Sequence, residues 1–142
     1  MKVALLLLSS SLLAWYAPAQ DEAKDLAKLE GTWQPTHVEI DGQPYKGDFS
    51  KDRLVIIGKN YTMTGPKVKM EGVLKIDSGK TPRQMDTEVT DGDGKGTRTV
   101  GIYELDGDRL MVCYRVAPGG RPTEFATGAD SGRALIKYKR VK

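Results

Sequence analysis

Side chains able to do chemistry are few in this chain, and their spacing is poor. His37 is the only histidine, so an imidazole metal cage and a Ser–His relay both lack members. Asp91-x-Asp93-Gly94 opens like a calcium loop, but the later ligands and the closing glutamate are missing. It reads instead as a glycine-rich hairpin. Gly92, Gly94 and Gly96 are not a phosphate cradle, because no helix pattern follows to aim its N-terminal amides. Cys113 is the only cysteine. It has no partner for an internal disulfide and no neighbouring base to activate it, and is expected as a buried, inert thiol. We therefore expect no catalytic residue, no metal, no cofactor and no enzymatic activity.

Tyrosines and methionines at alternate positions are more informative. Tyr103, Tyr114, Tyr138, Met70 and Met85 all fall on the apolar phase of their segments. In an enclosed interior, phenols would supply the few polar groups that orient a mostly apolar ligand. These five are the candidate ligand-binding residues.

The elements that must position them follow a period of two. Val68, Met70, Gly72, Leu74 and Ile76 face one way, while Lys67, Lys69, Glu71, Lys75 and Asp77 face the other. Such alternation belongs to an antiparallel sheet with one dry face. Strands are expected at 32–40, 53–57, 61–64, 67–77, 83–89, 97–105, 108–116 and 132–141. Turn dipeptides such as Asp41-Gly42, Gly65-Pro66 and Asp106-Gly107 separate them. Pro35 implies an edge or a bulge in the first strand. Nothing helical of useful length lies between the strands, which excludes parallel βαβ units. The fold class is all-β, an eight-stranded antiparallel up-and-down barrel. Its inward set would be Trp33, Val68, Met70, Leu74, Ile76, Met85, Tyr103, Leu110, Val112, Tyr114, Ile136 and Tyr138. A barrel filled by its own side chains and one with a cavity both remain open.

In a closed barrel the last strand lies beside the first. Ala134, Ile136, Tyr138 and Arg140 share a face, which brings Arg140 over Trp33 in a cation–π contact worth about 0.5–2 kcal/mol. Gly31 would let the backbone pass beneath them. Gly31, Trp33 and Arg140 are the expected structural latch.

Three further segments lie outside this pattern. Residues 1–19 read as a signal peptide: Lys2, an apolar run from Val3 to Leu13, and the small-x-small site Ala17-Pro18-Ala19. The run is too short to span a membrane, for which about 20 residues are needed. Export to the periplasm or beyond is expected. Residues 20–30 form an N-terminal arm, with Leu26 and Leu29 spaced for a short helical turn that is either docked or frayed. Ala117–Ser131 is a long loop, in which Phe125 either caps the core, folds over the barrel mouth or meets a partner. The formal charge of +3, with acidic and basic residues interleaved, gives no cue for nucleic acid.

Gly31-Thr32-Trp33 on the first strand with Arg140 on the last resembles the signature of the calycins, the group of lipocalins, avidins and fatty-acid-binding proteins. A closer resemblance is to a family of short secreted lipocalin-like proteins with many paralogues in planctomycete bacteria. It is carried by Leu29-Glu30-Gly31-Thr32-Trp33, Lys95-Gly96, the run Gly101–Asp108, Cys113-Tyr114 and Arg121-Pro122-Thr123-Glu124-Phe125. The resemblance covers about residues 26–141 and implies a lipocalin-like barrel domain over 31–142, without a settled ligand. The leading expectation is a non-enzymatic, exported binding protein for a small apolar or amphipathic molecule. The alternative is a protein-partner module, such as an inhibitor of an extracytoplasmic enzyme, with a solid barrel and a docking arm or loop.

Overall fold

A computed structural model describes residues 17–142. The charged start and apolar run of the expected signal peptide lie outside the described residues. Helix α1 (Ala17–Leu29) leads into β1 (Gly31–Ile40), β2 (Gln43–Pro44), β3 (Arg53–Ile57), β4 (Asn60–Thr64) and β5 (Lys69–Asp77). Four further strands follow: β6 (Arg83–Gly92), β7 (Arg98–Asp106), β8 (Arg109–Val116) and β9 (Arg133–Arg140).

The sheet is antiparallel throughout and follows chain order, except that β2 lies outside β1. β9 pairs back onto β1 and closes an eight-stranded up-and-down barrel. Closure leaves no long free edge. Trp33 sits opposite Arg140 in the β1–β9 ladder, and the ladder skips a residue between Pro35 and His37. Proline has no ladder N–H to lose there, so the first strand takes the bulge its sequence implies. Across the bulge the inward phase passes from Trp33 and Pro35 to Val38 and Ile40.

β2 is a departure from the expected loop over 43–52. Its two residues fold back against Glu39 and Ile40, a pairing too short to register as a pattern. β6 also runs on to Gly92, because a second bulge, at Thr90 of β6 opposite Glu71/Gly72, lets its last residues pair with Met70 and Glu71.

The main core occupies the barrel interior, and α1 contributes to it. Leu26 and Leu29 are buried with Trp33, Ile56, Ile76 and Tyr103. The arm is thus docked, and its two leucines close one end of the barrel. A second, smaller cluster lies on the outer wall, where Ile102, Cys113 and Leu135 are buried with Phe125 packed on them. Phe125 therefore neither closes the mouth nor caps the main core. The long loop is a strap laid along the outside.

Candidate functional site

At the closed end, α1 terminates against the first and last strands. A helix C-terminus leaves carbonyls without intrahelical partners, and here side chains answer them. The Trp33 indole Nε1 donates to Leu29 O at 2.9 Å. Arg140 Nη2 donates to Lys28 O at 2.9 Å, and Nη1 donates to Glu30 O. The guanidinium lies over the Trp33 ring, its Cζ 4.2 Å from the ring centroid, and its Nε donates to Asp108 at 3.1 Å. The expected latch residues meet, and they also cap the helix.

Gly31 joins the two elements at φ 135°, a conformation that glycine tolerates and other residues rarely adopt. A Cβ there would stand 2.7 Å from Arg140 Nη1. The Glu30 carboxylate accepts from the Gly58 amide at 2.9 Å, tying the β3–β4 turn to the same end. Asp25 on α1 has its carboxyl lowered below the usual range, first by a hydrogen bond from Ser78 in the β5–β6 turn and then by Lys28.

Tyr103 belongs to this plug and does not line the cavity described next. Its hydroxyl is buried without a hydrogen-bond partner among the described residues. Burial, with a smaller push from Asp25, raises the phenol to about 12. Alternation places Tyr103 inside, as expected, but at the sealed end and apart from the other four candidate ligand-binding residues.

The other half of the barrel is hollow. A cavity of about 450 Å³ lies above the plug, within the range of small-molecule sites. Its floor includes Leu54, Ile56 and Leu110, and its walls include Met63, Met70, Met85, Tyr61, Tyr114 and Tyr138. Four of the five expected ligand-binding residues thus share one space. Burial raises the phenols of Tyr138, Tyr114 and Tyr61 above the ordinary tyrosine range, and for Tyr138 the other two rings add to the effect. All three stay protonated at neutral pH and can donate. Thr87 and Thr99 add a hydroxyl pair, Oγ1 to Oγ1 2.6 Å, on the facing strands β6 and β7.

The rim lies at the end away from α1. It is built from the 43–52 loop, the 92–97 hairpin and the ends of β1 and β8. β3 pairs with β1 only over Gly31–Trp33. Beyond Trp33 the loop takes its place, tied down where the Tyr45 amide donates to Val38 O at 2.8 Å and Gln34 Nε2 donates to Ser50 O at 3.2 Å. Tyr45 and Phe49 lie on this lip with ring centroids 6.4 Å apart, and Asp52 ends it. These loop residues and Tyr61 were missing from the expected interior. Tyr61 and Met63 alternate on β4, a weak signal in a five-residue strand, whereas the loop has no periodicity at all.

The remaining candidates lie elsewhere. His37 is on the outer wall, its Nε2 3.5 Å from Glu39. Asp93 holds its hairpin by accepting from the Lys69 amide at 2.9 Å. Among the described residues no three His, Cys, Asp or Glu side chains gather as metal ligands would. Cys113 is buried beneath the strap, its thiol 3.7 Å from Ala126 O, and burial raises its pKa. Arg121 anchors the strap: its Nη1 and Nη2 donate to Asp86 at 2.5 and 3.1 Å, and Nη1 also donates to Gly101 O at 2.8 Å. The Thr127 hydroxyl bonds Glu39. No helix among the described residues is long and apolar enough to cross a membrane.

Comparison with known proteins found no match: no family model, no curated protein and no solved structure aligns with this chain.

Proposed function

We propose that the protein is a non-enzymatic carrier that takes a small apolar or amphipathic molecule into its barrel. The observation that carries this reading is the hollow half, about 450 Å³, with methionines and aliphatic side chains for bulk and three protonated tyrosines for orientation. Methionine suits such a wall because its flexible thioether adapts to irregular shapes. The docked arm supports the same reading. Its leucines are spent inside the barrel, so the arm offers little apolar surface to a protein partner. Export is part of the proposal and rests on the N-terminal sequence. Cleavage after Ala19 would shorten α1 by its first three residues while keeping Leu26 and Leu29.

The test is native mass spectrometry of the protein recovered from its own host, beside the same sample after denaturation, together with uptake of the neutral dye Nile red. Extra mass that disappears on unfolding, or saturable dye uptake lost in a cavity-filling Val112→Trp variant that still melts cooperatively, is the expected result. A bare mass with no dye uptake contradicts the proposal and turns attention to a protein partner.

A further inference from the structure

The charge of the cavity wall runs against that of the chain. The protein carries a formal charge of +3, yet among the described residues no lysine, arginine or histidine lines the cavity, and the only charged ones that do are Asp52 and Asp93. Asp93 is occupied by the Lys69 amide. Asp52 is not. Among the described residues its carboxylate takes part in no hydrogen bond or ion pair. The neighbouring Arg53 turns its guanidinium to the carbonyls of Ser50 and Asp52 instead, each at 2.8 Å.

Asp52 is half-buried there, partly open to solvent at the rim. Burial, with like charge from Asp48, raises the Asp52 carboxyl above the usual range. Its charge is also the smallest of the contributions that raise the Tyr138 phenol, after burial, Tyr114 and Tyr61. The fold makes room for it. A Cβ at Gly65 would fall 1.9 Å from Asp52 Oδ1, so the carboxylate occupies the space a side chain would take. Tyr45 and Phe49 lie in the same lip, and aromatic faces attract cations.

From the unmatched Asp52 at the rim of a mostly apolar cavity that no basic side chain among the described residues lines, we infer that the ligand is an organic cation, with an apolar body among the methionines and a protonated amine at Asp52. This rests on the carrier reading and narrows it to one chemical class. A charge-assisted hydrogen bond to the carboxylate supplies the selectivity, while the phenols of Tyr114 and Tyr138 are donors and do not discriminate in favour of an amine.

Calorimetric titration with octylamine, octanol and octanoate at neutral pH tests it. The three share one apolar chain and differ in the end group. The expected order is amine, alcohol, carboxylate, with the amine about tenfold tighter than the alcohol, the ratio that one such bond supports. Asp52→Asn should bring octylamine to the level of octanol and leave octanol unchanged. Gly65→Ala, which displaces the carboxylate while keeping its charge, should reduce the amine preference in the same direction. Non-specific attraction to a basic protein would favour octanoate, so it cannot imitate this order. Octylamine no tighter than octanol, or a preference that survives Asp52→Asn, overturns the inference and leaves the carrier reading standing. Failure of all three to bind overturns both.

Discussion

The two ends of this barrel solve opposite problems with similar residues. At the closed end an aromatic ring, an arginine and two leucines fill the space, and each exposed helix carbonyl from Lys28 to Glu30 finds a donor. At the open end four tyrosines and three methionines surround a cavity of about 450 Å³, and a carboxylate stands without a partner among the described residues. Filled space and matched polar groups stabilise a fold. Unfilled space and an unmatched charge do not, and on the carrier reading proposed above they are kept where a ligand enters. The difference teaches where stability and function reside, and substitutions at the two ends should separate them.

Trp33→Ala should have the largest effect. It removes a fully buried indole, frees the Leu29 carbonyl and takes away the seat of Arg140. About 3–5 kcal/mol of stability should be lost, as for other buried aromatic truncations, measured by urea or thermal unfolding. A melting temperature within a degree or so of the parent would break the comparison at once.

Gly31→Ala and Arg140→Ala come next. The alanine meets an unfavourable φ and the guanidinium, for about 1–3 kcal/mol. Losing Arg140 leaves the carbonyls of Lys28 and Glu30 without their donors, again about 1–3 kcal/mol. Neither should alter ligand affinity by more than its effect on folding. At the open end Tyr138→Phe should change stability by about 1 kcal/mol or less while weakening the binding of hydrogen-bonding ligands. An equal loss of stability at both ends would mean that the hollow half is as much a structural core as the plug.

The smallest effects are in pH dependence, and their signs differ between the ends. The Asp25 carboxyl is lowered in the fold, so its contribution is present above the unfolded carboxylate range and is lost as pH falls through the lower folded value. The Asp52 carboxyl is raised. Its contribution is therefore complete below the unfolded range and is lost as pH rises through the higher folded value. Melting curves of Asp25→Asn should fall below the parent at neutral pH and converge with it in acid. Those of Asp52→Asn should lie at or above the parent at neutral pH and also converge in acid. The same sign for both would erase the distinction.

Much of this frame is legible in the residues. The alternation in Lys67–Asp77 and the Asp-Gly turns place the strands because side-chain direction in a strand has a period of two. Trp33 and Arg140 are legible as neighbours because closure brings the first strand beside the last. Height along the barrel axis is not encoded by alternation, which is why Tyr103 reads as equivalent to Tyr114 and Tyr138 although it belongs to the plug. Asp52, Tyr45 and Phe49 stand in a loop, where no period says which way a side chain faces. Phe125 is ambiguous in the sequence for a related reason. Its partners Ile102, Cys113 and Leu135 are on the outer phase of three strands, and apolar residues there signal a covering segment only once the strands are seen side by side.

The most direct test of the two-ended account is an amide and methyl NMR titration with octanol, a neutral probe that does not depend on the charge at Asp52. The account predicts saturable shifts at Met70, Met85, Tyr114 and Tyr138, with Leu29, Gly31, Trp33 and Tyr103 unmoved. Shifts confined to the outer wall, or spread equally over the plug, would contradict it.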